Sequence, residues 1–448
     1  MTYKRVQITN LDSRGRGVCT LESGKKCFVE NALPGELCDI EITFENNSRA
    51  EAKVTETAQK SAYRTGDIRP GASLSHLAYA KQLEFKQDRV RDCLTRIGKF
   101  DQKQTEETIR KIIPSPREKF YRNHMQYKIS GDTIGQTAED GQTILPIEDT
   151  FLEYEAIGQV AQETKKILKD SPVNIFSGLV VRGSERTQEL MLEFVSDIPD
   201  RHEITIQKAK EWLKTTDFKN RIQRATPGNK TTGILLRISP DKISGRTRSG
   251  KRIVLDGNDF YNENFSGLDF KIEAGAFFQV NIEGAEAITS LIKEYTKDDE
   301  NILDLFCGTG TLGLSILPPN ATLTGVEISP RAIESAKYNA NKNFPGRDIK
   351  FICRDASKVT LTQTPDTIIV DPPRKGLSDK AIKLIENFAS QKLIYVSCDP
   401  ATLARDLNTL KNTFTIEQVT PVDMFPQTPH VETVVLMSKS HKFKESNP

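Results

Sequence analysis

Beyond residue 285, helical patterns and short apolar runs take turns: EAITSLIKEY, NILDLF, TLGLSIL, ATLTGVEI, RAIESAKYNANKN, IKFICRD, TIIVDPP, SDKAIKLIENFA, KLIYVSC and ATLARDLNTL. Unbroken apolar runs suit strands buried on both faces, and helices crossing between them make the sheet parallel. This alternation commits the C-terminal part of the chain to a doubly wound, Rossmann-like α/β sheet. In such sheets ligands sit outside the carboxyl ends of the strands, so the residues that close each run are the first candidates for chemistry.

The first run closes on a glycine-rich turn, Phe306-Cys307-Gly308-Thr309-Gly310, followed by a helix. Glycines there let backbone approach a ligand, and the helix start offers unpaired N–H groups. The second run ends in Glu327, about 20 residues on, where an acid can bind ribose hydroxyls. The third ends in Arg354-Asp355, where a carboxylate can meet an adenine amino group. Together these point to a methionine-nucleoside cofactor. NAD is the runner-up, disfavoured because the turn lacks GxGxxG spacing. The fourth run ends in Asp371 before two prolines, a substrate-contact position that amine methyltransferases share. The fifth delivers Cys398, followed by Asp399-Pro400 at a helix start, where N–H groups favour a thiolate. Taken alone, a cysteine ending an apolar strand is more often inert core filler.

Residues 1–58 read as short β segments broken by Gly, Asn and Pro, the pattern of a small five-stranded barrel. Leu77, Leu83, Phe85, Val90, Leu94 and Ile97 are spaced for one amphipathic helix. Residues 75–265 mix strands (HMQYKISG, FSGLVVRGS, ELMLEFVS, GILLRIS) with one helix, IQKAKEWLK, giving an α+β middle domain; residues 266–448 form the catalytic domain. Net charge is only +2, but Arg201 to Arg252 holds 14 basic and 4 acidic residues, and Lys81 to Lys128 holds 13 and 7. Such clusters neutralise a nucleic-acid backbone or are solvated helix faces. Seven scattered cysteines without CxxC spacing suggest neither disulfides nor a metal site. With no apolar run of membrane-spanning length and no signal-like start, a cytoplasmic, monomeric protein that avoids membranes is expected.

FFQVN (277 to 281), LDLFCGTGT, GVEIS, VDPPRKG, SCDPATLARDL and HVETVVLM closely resemble the RNA uracil-5-methyltransferases. GRGVCTLESGKKCFVENALPGE resembles a TRAM domain, an RNA-binding barrel, and points to the branch that includes ribosomal RNA enzymes. The resemblance implies S-adenosyl-L-methionine as cofactor and RNA as partner, ribosomal before transfer RNA. It implies cofactor contacts at Gln279, Phe306, Gly308, Glu327, Asp355 and Asp371. It also makes Cys398 the nucleophile that adds to carbon 6 of uracil and Glu432 the base that removes the carbon 5 proton, with His430 beside it. RNA cytosine-5 enzymes carry a cysteine where this chain has Asp-Pro-Pro-Arg. A transfer-RNA enzyme and a non-catalytic RNA-binding protein of the same fold are the alternatives. Many members hold an iron–sulfur cluster on four cysteines, but Tyr63, Arg69, Ala72 and Thr150 occupy those positions, so no cluster is expected. Thr311 stands where several members have Asn.

Overall fold

The computed structural model describes residues 1–138, 142–147, 150–198, 202–239, 250–388 and 390–440. Contacts group the chain into two compact units, one made of Met1–Glu118, Ser397–Asn408 and Gln418–Thr433, the other of the remaining described residues. Among the described residues no helix is long and apolar enough to cross a membrane.

In the first unit, six strands form one sheet in the order Thr2–Gln7, Leu37–Glu45, Arg49–Gln59, Lys26–Glu30, Gly17–Thr20, Asn10–Leu11. The sixth strand, which the sequence reading did not separate, is the two-residue Asn10–Leu11. Period-two alternation turns Cys27 and Val29, Ala50 and Ala52 inward to join Ile8, Cys19, Cys38 and Ile40. Three of the seven thiols are thus barrel filler, packing as small hydrophobes. Gly17 has no alternative, because a Cβ there would lie 2.8 Å from that of Ala32 and 2.9 Å from Ile8 Cγ2.

The segment after the barrel carries Tyr63, Arg69 and Ala72, and it is held by polar bonds. Arg64 grips the fully buried Glu36 through two contacts of 2.6 and 2.8 Å. Leu33 N and Ser61 N donate to the same carboxylate at 2.8 and 3.2 Å. Burial pushes Glu36 up, but Arg64 and these N–H groups outweigh it and hold the carboxyl below its ordinary value. Arg69 N bonds Ser75 Oγ at 2.8 Å, and Arg69 pairs with Ala72 in an isolated bridge. Among the described residues, no group of three or more His, Cys, Asp or Glu is placed to hold a metal ion. Arg64→Met strands a buried carboxylate, so it is expected to cost about 3–5 kcal/mol in urea unfolding. A loss below about 1 kcal/mol would show that the pair does not hold this segment.

Helix Tyr79–Arg96 departs from the apolar stripe read from sequence. Its buried line is Gln82, Lys86, Val90 and Leu94, while Leu83 and Phe85 are half-buried and Ile97 is exposed.

In the second unit, a seven-stranded sheet runs in the order Lys251–Gly257, Lys230–Ile238, Glu189–Ser196, Gly178–Ser184, His124–Ser130, Thr133–Thr137, Ile144–Pro146. Three helices accompany it, Glu155–Asp170, His202–Thr215 and Phe218–Ala225, where the sequence reading gave one. The first was passed over although Ile157, Val160, Ala161, Thr164, Ile167 and Leu168 make a helical stripe. Phe176, Phe194, Trp212 and Phe218 form the aromatic centre of this core. Arg201 and residues 240–249 of the basic stretch lie outside the described residues. Two counted cations are not surface charges: Lys86 is fully buried, and Arg237 is buried on Glu193 at 2.6 Å.

The sheet expected from the strand–helix alternation is present in the order Ile349–Cys353, Thr322–Glu327, Asn301–Leu305, Thr367–Val370, Lys392–Ser397, Glu432–Lys439, Phe414–Val422. The first five pair in parallel, and the order reverses at Asn301–Leu305, the switch point where such sheets bind ligands.

Candidate active site

Phe306, Glu327, Asp355 and Gln279 of the expected cofactor residues are each held by hydrogen bonds. Phe306 leaves its strand at φ 66°, with its N–H and that of Cys307 both bonded to Val326 O, at 2.9 and 3.1 Å. Gly308 follows at φ 54°, and the space a Cβ would occupy is open. The backbone here bends as only glycine does cheaply, and the bend leaves room against the main chain. Glu327 is fixed by a bond from Ser329 N at 2.8 Å, and Ser329 in turn caps helix Pro330–Asn343. Asp355 accepts Ser357 N and Oγ at 2.9 and 2.8 Å, and these bonds hold its carboxyl below the ordinary value. Thr311 bonds Thr309 hydroxyl to hydroxyl at 2.9 Å.

Gln279 lies on a segment clamped at both ends. Phe278 packs among Phe265 and Phe270 with ring centroids 6.1 and 5.8 Å away. The buried Asn281 caps helix Ile282–Thr296 by accepting Gly284 N at 3.0 Å. Asn123 grips the middle, donating to Gln279 O at 2.9 Å and Val280 O at 3.0 Å.

Sequence reasoning missed Asp304, whose signal was a lone acid inside the apolar run NILDLF. It is buried, takes Gly313 N at 3.1 Å through Oδ2, and leaves Oδ1 without a partner among the described residues. Burial, with Asp371 next in size, pushes its carboxyl up to about 8, and Glu327 adds to the repulsion. Burial alone pushes Asp371 up to about 7. The strand ends thus gather three acids, one with an orphaned buried oxygen, beside an open glycine turn. A ligand combining a nucleoside with sulfonium and ammonium charges fits that surface.

Folded Asp304 and Asp371 hold protons that the unfolded chain sheds above about pH 4. Stability of the protein without ligand therefore falls as pH rises from about 4 to 8. A cationic ligand prefers the ionised acids, so cofactor binding is expected to release protons and tighten between pH 6 and 8, by up to about tenfold per unit for each proton. Calorimetry in two buffers of different ionisation enthalpy measures this. A pH-independent affinity with no proton release would remove the acids from the site.

Cys398 and Glu432 both belong to the first unit. Val370 and Tyr395 are paired neighbours in the sheet; the chain continues from one to Asp371 and from the other through Ser397 to Cys398. Cys398 is half-buried. Asp399 caps helix Pro400–Leu410 by accepting Ala401 N and Thr402 N, both at 3.0 Å, with proline at the first helical position. Glu432 opens the strand Glu432–Lys439 and is 9% exposed, not a solvated edge charge. The His430 ring packs edge-on against Phe425, with ring centroids 6.0 Å apart.

Comparison with known proteins follows this layout. The family model described as tRNA (Uracil-5-)-methyltransferase matches residues 357–440, a methyltransferase small domain matches 267–394, and a TRAM domain matches 2–55. An uncharacterized RNA methyltransferase of Clostridium tetani is 30% identical over 96% of both chains. One from Staphylococcus aureus is 30% identical over 96% of this chain and 97% of its own. The chain belongs to the RNA uracil-5-methyltransferase family. As a methyltransferase of this family it depends on S-adenosyl-L-methionine. Its fold matches the crystal structure of the Pyrococcus abyssi tRNA (uracil-54, C5)-methyltransferase in complex with S-adenosyl-L-homocysteine, at a TM-score of 0.75 and 24% identity, over 97% of this chain and all of that one.

Proposed function

We propose that this methyltransferase modifies carbon 5 of a specific uridine in ribosomal RNA through a covalent bond between Cys398 and the uracil ring. The observation that carries the reading is the placement of Cys398: it is half-buried, directly after the buried strand Lys392–Ser397 and before a capped helix, whereas Cys19, Cys27, Cys38 and Cys307 are buried, Cys93 lies within a helix, and the exposed Cys353 ends an edge strand.

Carbon 5 of uracil is too weak a nucleophile to take a methyl group unaided. Addition of the Cys398 thiolate to carbon 6 makes carbon 5 enolate-like and able to attack. S-adenosyl-L-methionine supplies an electrophilic methyl group. Gln279, Phe306, Gly308, Glu327, Asp355 and Asp371 are the residues that would hold it, with Asp304 bracing the helix that follows the turn through Gly313 N. Glu432 then takes the proton from carbon 5, the electron pair restores the ring double bond, and the carbon–sulfur bond breaks to return the thiolate.

We read 1–58 and 75–265 as RNA-binding parts and 266–448 as catalytic, acting as a monomer in the cytoplasm. A transfer-RNA substrate is the second reading, favoured by the name of the matching family model and by the solved Pyrococcus enzyme. Incubation with labelled cofactor and separately purified ribosomal and transfer RNA, followed by nucleoside analysis, tests both. Labelled 5-methyluridine from the ribosomal fraction supports the proposal, and label confined to transfer RNA selects the second reading.

A further inference from the structure

Within the first unit, helix Tyr79–Arg96 buries polar side chains where a helix would be cheapest to make apolar. Gln82, Lys86 and Arg89 lie at spacings of four and three, on one face, and all three bond the segment that leads into Glu432. Lys86 and Asp423 form an ion pair in which neither side chain is exposed. Lys86 Nζ also donates to Phe425 O at 3.0 Å, and Asp423 Oδ1 accepts Phe425 N at 3.2 Å. Gln82 donates to Gln427 Oε1 and accepts from Gln427 N, both at 2.9 Å, pinning a residue that sits at φ 67° without being glycine. Arg89 donates to Pro429 O at 2.8 Å. Leu74 N closes the set with a 2.9 Å bond to Gln427 O.

Stability alone does not explain this face. Replacing a buried ion pair by apolar groups of similar volume is often neutral or stabilising, so a buried lysine is weak evidence for a stability role. What the face does fix is the backbone at residues 425, 427 and 429, with Asp423 held through its side chain, and Glu432 lies three residues beyond Pro429. We infer that Gln82, Lys86 and Arg89 are positioning residues for the second half of the reaction, holding the segment Asp423–Pro429 so that Glu432 is aimed at the carbon 5 proton. The inference rests on the reading of Glu432 as the base and Cys398 as the nucleophile. It assigns the helix to proton removal and not to methyl transfer. With the segment loosened, carbon 5 is still methylated, but its proton leaves slowly, the ring double bond does not reform and the carbon–sulfur bond persists.

The test is the double variant Lys86→Met with Asp423→Leu, which removes both buried charges together and leaves neither stranded. With labelled cofactor and RNA substrate, single-turnover methyl transfer is expected to stay within about threefold of the parent, while steady-state turnover falls on the order of tenfold to 100-fold. A protein–RNA band carrying methyl label should accumulate on a denaturing gel. Arg89→Gln, at a half-buried position, should show the same split more weakly, and it decides the matter if the double variant does not fold. Parental turnover without the band overturns the inference, as does an equal fall in methyl transfer and turnover. Glu432→Gln run in parallel separates the two levels. A methylated adduct there, with none in the positioning variants, removes only the role of the helix. No adduct in Glu432→Gln removes the base assignment and this inference with it.

Discussion

Cys398→Ala is expected to lower turnover by on the order of 10⁴-fold or more while leaving cofactor affinity within a few-fold. The thiol acts on the uracil ring, whereas the acids and the glycine turn expected to meet the cofactor belong to the other compact unit. The side chain is small and half-buried, so its removal leaves no large cavity and should not unfold the protein. Steady-state methylation and cofactor titration on the same preparation check both halves. Residual activity above about a tenth of the parent would mean that carbon 5 is activated without a covalent bond.

Glu432→Gln is expected to divide the reaction at its midpoint. The amide keeps the length and shape of the side chain at a position only 9% exposed, but it does not accept a proton from carbon. Methyl transfer proceeds; turnover falls about 10²- to 10⁴-fold, the range that general-base catalysis contributes. The methylated RNA stays attached through carbon 6 of uracil, giving a slow-migrating band that carries label from the cofactor. Adding Cys398→Ala to the same chain should abolish the band. Normal turnover in Glu432→Gln would place the base elsewhere, with His430 the nearest candidate in sequence.

The parts of this molecule legible from sequence are those whose chemistry sits at the end of a long apolar run. Glu327 closes, and Asp371 and Cys398 follow, strands read from their apolar residues, and within the second unit the switch-point topology gathers the strand ends that carry Glu327 and Asp371. Asp399-Pro400 was readable as a helix start because a cap is decided within three residues. Asp304 escaped because a single acid in an apolar run reads as noise until its burial is known. The polar line of Gln82 and Lys86 escaped for a different reason. The pattern was scored for apolar residues, and the groups that make burial of a lysine tolerable lie 337 residues away in the chain, at Asp423. The helix Glu155–Asp170 was missed although its stripe is regular, because Gly158 and Thr164 dilute its apolar character. The segment with Tyr63, Arg69 and Ala72 shows the limit of reasoning by replaced ligands. Sequence gives the missing thiolates, but only the structure shows Arg64 and Glu36 holding the chain there.

The covalent mechanism is tested most directly by RNA in which the target uridine is replaced by 5-fluorouridine. Fluorine does not leave carbon 5 as a proton does, so the reaction halts after methyl transfer with the enzyme still bound. A stable complex is expected that carries cofactor methyl label, and mass spectrometry of its peptides should place the nucleotide on Cys398. Methylation with no covalent complex, or a complex mapped to another residue, would contradict the account.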